Sequence, residues 1–231
     1  MRIDILTAFP SILGLPLSQS IVGKAQTNGF ISISTTDPRD FTTDVHRTID
    51  DEPYGGGPGM LMKPEPVFRA YDSILHNNKI DKLNVIYPSP DGKVFNQHEA
   101  RQLKDEKHIV FICGHYKGID QRIRDTIVSK EYSIGDYVIT GGELSSLVII
   151  DSIIRLIPGV LNNMESAQSD SFESDLLDCG YYTRPEEYRG LKVPKILLSG
   201  NHQKIDDYRQ KDREQKTKKK RPDIWKKYNK I

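Results

Sequence analysis

Cysteine is scarce in this chain. Cys113 and Cys179 are the only two among 231 residues; no Cys-x-x-Cys pair occurs and no histidine cluster lies near either, so neither a disulfide scaffold nor a zinc site is expected. Both thiols are expected to be reduced and buried. Long apolar runs are missing too: nothing approaches the ~20 consecutive apolar residues of a membrane span, and Met1 to Pro10 reads as a strand rather than as a basic and apolar leader. A soluble, cytoplasmic protein with no membrane partner is expected. Net charge is small, +1 overall, but unevenly placed. His202 to Ile231 carries twelve Lys/Arg against five Asp/Glu, or +7, which leaves −6 for residues 1–201. A basic tail on an acidic body marks a nucleic-acid contact or a solvated helix, and composition alone does not choose between them. The length suits one large domain, or a main domain with a smaller appendage.

What is present is organised around Tyr132 to Leu144, where an aromatic and β-branched run is interrupted by glycines just before a long apolar segment. The pattern predicts strand, tight loop and helix start. Gly135, Gly141 and Gly142 let the backbone take positive φ and lie close against a ligand, offering amide groups to a flat, polar-edged ring such as adenine. A bulged strand and a glycine-rich helix entry with no ligand fit the same spacing.

Earlier in the chain, strand-like Arg2 to Phe9, helix-like Ser11 to Asn28 with a stop at Asn28-Gly29, and strand-like Phe30 to Ser34 predict a β-α-β opening and a parallel sheet. From Thr36 to Lys63 periodicity vanishes, and charge, glycine and proline accumulate through Asp50-Asp51-Glu52-Pro53-Tyr54-Gly55-Gly56-Gly57-Pro58-Gly59-Met60. Neither familiar phosphate-binding glycine template is complete there. The segment reads as a substrate-facing loop or a flexible surface loop. Pro66 to Asn77 reads as a helix, Leu83 to Tyr87 as a strand ending in Pro88-Ser89-Pro90, Asn96-x-x-Glu99 as a helix-opening capping box, Ile109 to Cys113 as a strand and Ile119 to Val128 as a helix. Three strand ends, at Tyr87, Cys113 and Ile139, thus run into Pro, Gly, Ser or Tyr-rich turns, where open α/β sheets bind ligands. Glu143 to Ile157 is an apolar helix whose Leu144, Leu147, Val148, Ile150, Ile153, Ile154 and Ile157 are expected to face a core or a partner. Arg155 is expected to pair with Asp151 at i,i+4 on its polar face, and Asp170 reads as an N-cap or a solvated carboxylate. Asn162 to Asp175 is polar and aperiodic, an expected linker, and the basic end with Trp225 and Tyr228 is expected to be helical.

Six collinear motifs go further. Pro38-Arg39-Asp40-Phe41, Asp50-Asp51-x-Pro53 through Met60, Gly114-x-Tyr116-x-Gly118-Ile119-Asp120, Ser133-Ile134-Gly135-Asp136-Tyr137, Gly141-Gly142-Glu143-Leu144 and Leu197-Leu198-Ser199-Gly200-Asn201-His202 strongly resemble the bacterial tRNA (guanine-37-N1)-methyltransferase family. The resemblance implies an α/β fold with a mainly parallel sheet, covering helices and a deep trefoil knot of the SPOUT type, an exception to the no-knot rule, followed by a small helical C-terminal domain. It implies residues 1–161 as the knotted methyltransferase domain, 162–175 as an interdomain linker and 176–231 as a basic tRNA-binding domain. It implies a homodimer with composite sites, and S-adenosylmethionine held by Tyr87, Ser89 and Pro90, by Gly114, Tyr116 and Gly118, and by Ile134, Gly135, Asp136, Tyr137, Val138 and Ile139 with Gly141 and Gly142. Asp170 becomes the general base and Arg155 the electrostatic stabiliser, while Asp50, Gly57, Pro58, Gly59 and Met60 hold the guanine. Lys117 stands where many relatives have glutamate, one suggested contributor to the family's magnesium dependence, so the resemblance carries no firm magnesium role to this chain. A binding-only RNA protein and a knotted methyltransferase acting on another nucleotide are the competing classes.

Overall fold

Residues 1–80, 82–161 and 170–229 are described by a computed structural model; residues 162–169 of the expected linker lie outside the described residues. The chain divides into two compact units, Met1–Asn162 and Asn163–Ile231.

The first unit is built on a parallel sheet. Its strands are β1 (Arg2–Leu6), β2 (Ser32–Thr36), β5 (Asn84–Val94), β6 (His108–Ile112) and β7 (Lys130–Ser133), in the order β2-β1-β6-β5-β7; β3 (Asp50–Asp51) and β4 (Leu61–Met62) form a small antiparallel hairpin apart from it. Strand side chains alternate between faces, and here the alternation sorts them into two cores. Ile3, Ile5, Ile86, Ile109 and Phe111 enter one core, covered by α1 (Pro10–Ser18), α2 (Ser20–Thr27), α4 (Gln97–Leu103) and α6 (Gly142–Ile154). Leu6, Val85, Tyr87, Val110 and Ile112 enter the other, covered by α3 (Pro64–Asn78) and α5 (Gln121–Thr126). Asp4 shares that second face yet is 2% exposed. It is paired: Arg2 Nε donates to it at 2.8 Å and His108 Nε2 lies 2.6 Å away, as a buried carboxylate requires.

Several expected elements are corrected. Ser11 to Asn28 forms two helices, not one, because Gln19 is extended and Ser20 has φ of 55°; Gly23 then sits against the Ser18 carbonyl, where any side chain would collide. The stretch from Thr36 to Lys63 is not structureless, since it contains a 3-10 turn at Pro38–Phe41, capped by Asp37, and the β3-β4 hairpin with buried Ile49 and Met62. The strand β5 continues through Pro88-Ser89-Pro90, with its register against β7 shifting between Pro88 and Lys93. On α6 the expected Ile150, Ile153 and Ile154 are buried, joined by Ile149, Ser145 and Ser146, whereas Leu144 and Val148, expected to face a core or a partner, are exposed.

The capping box at Asn96 forms only in part. Asn96 Oδ1 accepts from the amides of His98 and Glu99. The Glu99 carboxylate instead accepts from Lys93 Nζ at 2.5 Å and from the buried Tyr132 hydroxyl at 2.6 Å, and Lys93, then Tyr132, hold its pKa below the usual range. A depressed carboxylate pKa stabilises the fold above the unfolded value of about 4.3 and ceases to do so as pH falls through the folded value. Lys93 is largely exposed, so its ion pair adds little. Glu99→Leu is expected to cost about 1–3 kcal/mol near neutral pH, because it strands the Tyr132 hydroxyl. It should also flatten the loss of stability on acidification, measured by urea unfolding between pH 6 and pH 3; an unchanged midpoint at pH 6 counts against it.

The second unit contains a hairpin of β8 (Glu187–Tyr188) and β9 (Leu191–Lys192), a 3-10 turn at Lys195–Leu198, and helices α7 (His202–Lys220) and α8 (Pro222–Tyr228). Thr217 is fully buried on α7 and accepts from the Leu177 amide at 2.9 Å, which fastens the extended stretch before the hairpin to the helix. Both cysteines are free and buried. Among the described residues no helix is long and apolar enough to cross a membrane.

Candidate active site

The bent middle of β5 and the two loops that follow β6 and β7 close around a cleft of about 410 Å³, within the range of small-molecule and cofactor sites. Every residue expected to hold the cofactor lines it except Asp136. Tyr87, Ser89 and Pro90 come from the bent part of β5, Gly114, Tyr116 and Gly118 from the turn after β6, and Ile134, Gly135, Tyr137, Val138, Ile139, Gly141 and Gly142 from the connection between β7 and α6.

The glycines serve the loops themselves more than an open approach to a ligand. A Cβ on Gly114 would stand 2.8 Å from the Tyr87 hydroxyl oxygen, one on Gly142 would stand 2.8 Å from Cys113 Cα, and one on Gly141 would collide with the His115 ring. The amide of Gly142 donates to the Gly114 carbonyl at 2.9 Å, tying the first turn of α6 to the loop after β6. Gly118 and Gly135 have φ of 123° and 146°, open to glycine and strained for other residues.

A buried polar link braces the same corner. Thr7 Oγ1 donates to Glu143 Oε1 at 2.6 Å, and Glu143 Oε2 lies 3.5 Å from His115 Nδ1. Phe9 packs on the His115 ring with centroids 4.5 Å apart. The cleft is also joined to the hairpin loop: Lys117 donates its amide to the Met60 carbonyl, and Met62 donates to the Gly118 carbonyl, each at 3.0 Å. The Lys117 side chain lies across Gly59. Tyr116 reaches the same loop, since burial first and the nearby Asp50 carboxylate second push its phenol pKa up. Burial likewise raises the Tyr87 phenol, against the opposing charge of Arg124. Burial, reinforced by Glu143, raises the Cys113 thiol, which keeps it protonated and unsuited to act as a nucleophile.

The remaining candidates lie as follows. Asp50 is half-buried on β3, Gly57, Pro58 and Gly59 are exposed in the hairpin loop, and Met60 is half-buried at its end. Arg155 is half-buried at the C-terminal cap of α6. Asp170 is half-buried in the second unit, where its carbonyl accepts from the Glu173 amide at 3.3 Å. His115, Lys117, Ser133, Thr140 and Ser145 line the cleft without having been singled out as ligand residues; their one sequence signal is that each lies beside, or close to, a glycine or turn that was. Among the described residues no group of three or more His, Cys, Asp or Glu could hold a metal ion.

A parallel α/β sheet with helices on both faces and a glycine-rich loop cleft at its carboxyl edge defines a ligand-binding domain of the kind that enzymes build around a cofactor or nucleotide. The comparisons narrow this. The model of the tRNA (Guanine-1)-methyltransferase TrmD family matches residues 1–227, and the chain belongs to that family. It is similar to the tRNA (guanine-N(1)-)-methyltransferases of Carboxydothermus hydrogenoformans, 54% identical over 211 residues, covering 91% of this chain and 82% of the relative, and of Limosilactobacillus reuteri, 50% identical over 228 residues, covering 98% and 90%. The relative of the same name from Clostridioides difficile is 48% identical over 229 residues, 99% of either chain.

Proposed function

We propose that this chain methylates N1 of guanine at position 37 of tRNA, next to the anticodon, with S-adenosylmethionine as donor. The observation that carries the reading, beside the family, is the convergence of the bent middle of β5 and the loops after β6 and β7 on one cleft. The residues there suit the donor. Pro90, Ile134, Val138 and Ile139 offer apolar surface for a flat ring, the loop backbone offers amides and carbonyls for its edge, and the close loop packing that the glycines permit keeps the walls narrow. When bound, S-adenosylmethionine supplies an electrophilic methyl group on a sulfonium.

The chain's own residues then have separate tasks. Neutral guanine carries a proton on N1, so its lone pair is unavailable until a base takes that proton; Asp170 is assigned this role. Negative charge spreads toward O6 as N1 ionises, and the Arg155 guanidinium stabilises it with preorganised charge and hydrogen bonds. Asp50 and Gly57 to Met60 hold the base once it leaves its stack, the usual arrangement when chemistry targets a base edge. The backbone bonds from Lys117 and Met62 tie that loop to the cleft wall. No step is assigned to magnesium, because Lys117 places a cation at the loop position where an acid would be the natural ligand.

The same reading includes a SPOUT-type trefoil knot in the domain of residues 1–161, a linker over 162–175, a basic domain of residues 176–231 that contacts tRNA phosphates with salt-dependent affinity, a cytoplasmic setting, and a homodimer with composite sites. Supporting the dimer, α1 and α6 pack together and leave Ile12, Leu15, Leu144 and Val148 exposed, an apolar surface suited to a second copy. Incubating the protein with unmodified tRNA and labelled S-adenosylmethionine, then mapping the modified base, is expected to give a single methyl on N1 of guanine 37, with light scattering of the same sample giving the mass of two chains. Label on another nucleotide, or none, overturns the assignment.

A further inference from the structure

The second unit has a cleft that the reaction leaves unused. It measures about 910 Å³ and is lined by Tyr181, Tyr182, Arg184, Glu186, Leu198 and Arg209, among others. Tyr181 and Tyr182 are 61% and 54% exposed, an unusual position for two adjacent aromatic rings unless something covers them.

The Tyr181 ring is held in place. Its hydroxyl donates to Asp178 Oδ1 at 3.3 Å, Asp178 is gripped by Arg213 Nε at 3.2 Å, and the Asp178 carbonyl accepts from Lys216 Nζ at 2.7 Å. The Arg209 guanidinium lies 5.9 Å from the Tyr181 ring centroid. A ring fixed from its hydroxyl end, with a guanidinium over it, presents a flat π surface at little further entropic cost. Arg184 adds a second cation on the rim, and Glu186 is a carboxylate able to accept from an amino or imino edge. Basic α7 and α8 follow directly, within the segment that holds +7 of charge. Aromatic faces, cations and one acceptor beside a basic helix match an unstacked nucleotide better than they match an apolar peptide.

We propose that this cleft is a second RNA contact, in which one unpaired base of the tRNA stacks on Tyr181 and Tyr182 while Arg184 and Arg209 meet its phosphates and Glu186 reads its edge. The inference rests on the tRNA reading above and adds to it a base-stacking term that a purely electrostatic domain would lack.

The test uses the full chain, an unmodified tRNA transcript, and transcripts carrying 2-aminopurine at each unpaired anticodon-loop position in turn. The double variant Tyr181→Ala/Tyr182→Ala is expected to bind tRNA about ten-fold more weakly or worse. The slope of log affinity against log salt should stay unchanged, because stacking releases no counterions. Tyr181→Phe, which keeps the ring, should stay close to the parent. One 2-aminopurine position should be quenched by the parent protein and not by the double variant; if that variant unfolds, the single variant Tyr182→Ala carries the same comparison. Parent-like affinity with no quenched position overturns the inference and leaves the tRNA reading intact. A change of mass by light scattering in the double variant also overturns it, assigning the cleft to contact between copies of the chain. A parent protein that neither binds nor methylates tRNA removes the tRNA reading and this inference together.

Discussion

Asp170→Asn is expected to lower single-turnover methyl transfer by about 10²–10⁴-fold, the usual contribution of a positioned general base, while leaving the dissociation constant of S-adenosylmethionine unchanged. The amide keeps the size and most of the hydrogen-bonding capacity of the carboxylate but has no basic oxygen with which to take the N1 proton. Two readouts separate this from a merely structural role. Donor binding, measured by calorimetry on the same preparation, reports the integrity of the loop cleft. Raising the pH should recover part of the variant's rate, because guanine N1 then ionises without help. Undiminished turnover would remove Asp170 from the chemistry. Loss of donor affinity in step with loss of rate would make it a structural residue instead.

Much of the first unit can be read from its sequence, for a simple reason. Apolar residues fill β6 and recur along β1 and the start of β5, and strand alternation divides them between two covered faces, so these strands and the parallel sheet announce themselves through local composition. Of the three expected strand ends, the one at Cys113 holds to within a residue of β6, whereas β5 runs on past Tyr87 to Val94 and β7 stops at Ser133, well before Ile139; what was legible is that the turn-rich segments at all three places line one cleft. What local pattern could not supply was anything decided by distant packing. Leu144 and Val148 belong to an apolar helix that periodicity assigns to a core or a partner without choosing; they are exposed, while Ser145 and Ser146 are buried. A helical period tells which residues share a face but not what that face meets. The Thr7 to Glu143 hydrogen bond joins residues 136 apart in sequence, and no spacing rule anticipates it. Nor could the break at Gln19 be foreseen, because the apolar pattern runs through it unbroken. The glycines were found for one reason and matter for another: flexibility near a ligand was the expectation, whereas Gly114, Gly141 and Gly142 are needed where one loop lies directly against another.

That second reason predicts the larger penalty in the cleft. Gly142→Ala is expected to destabilise the first unit by about 1–3 kcal/mol, the cost of overpacking a tight contact, and to weaken S-adenosylmethionine binding by at least about ten-fold, which is about 1.4 kcal/mol. The new methyl would stand 2.8 Å from Cys113 Cα and 3.1 Å from the Gly114 amide nitrogen. Both are backbone atoms, so no side chain can swing aside. Relief requires α6 to withdraw from the loop after β6, which stretches the 2.9 Å bond between the Gly142 amide and the Gly114 carbonyl and moves the cleft wall that Gly114, Tyr116 and Gly118 form. Gly55→Ala is the matched control. It places a side chain at φ of 88° with no atom within 4 Å, so it bears conformational strain of about 1 kcal/mol but no collision, and its donor affinity should match the parent's. Calorimetric titration and urea unfolding on both variants decide the matter. If Gly142→Ala binds donor as the parent does, loop contact does not shape the cleft; if Gly55→Ala loses donor affinity equally, the hairpin loop and not the packing at Gly142 controls the site.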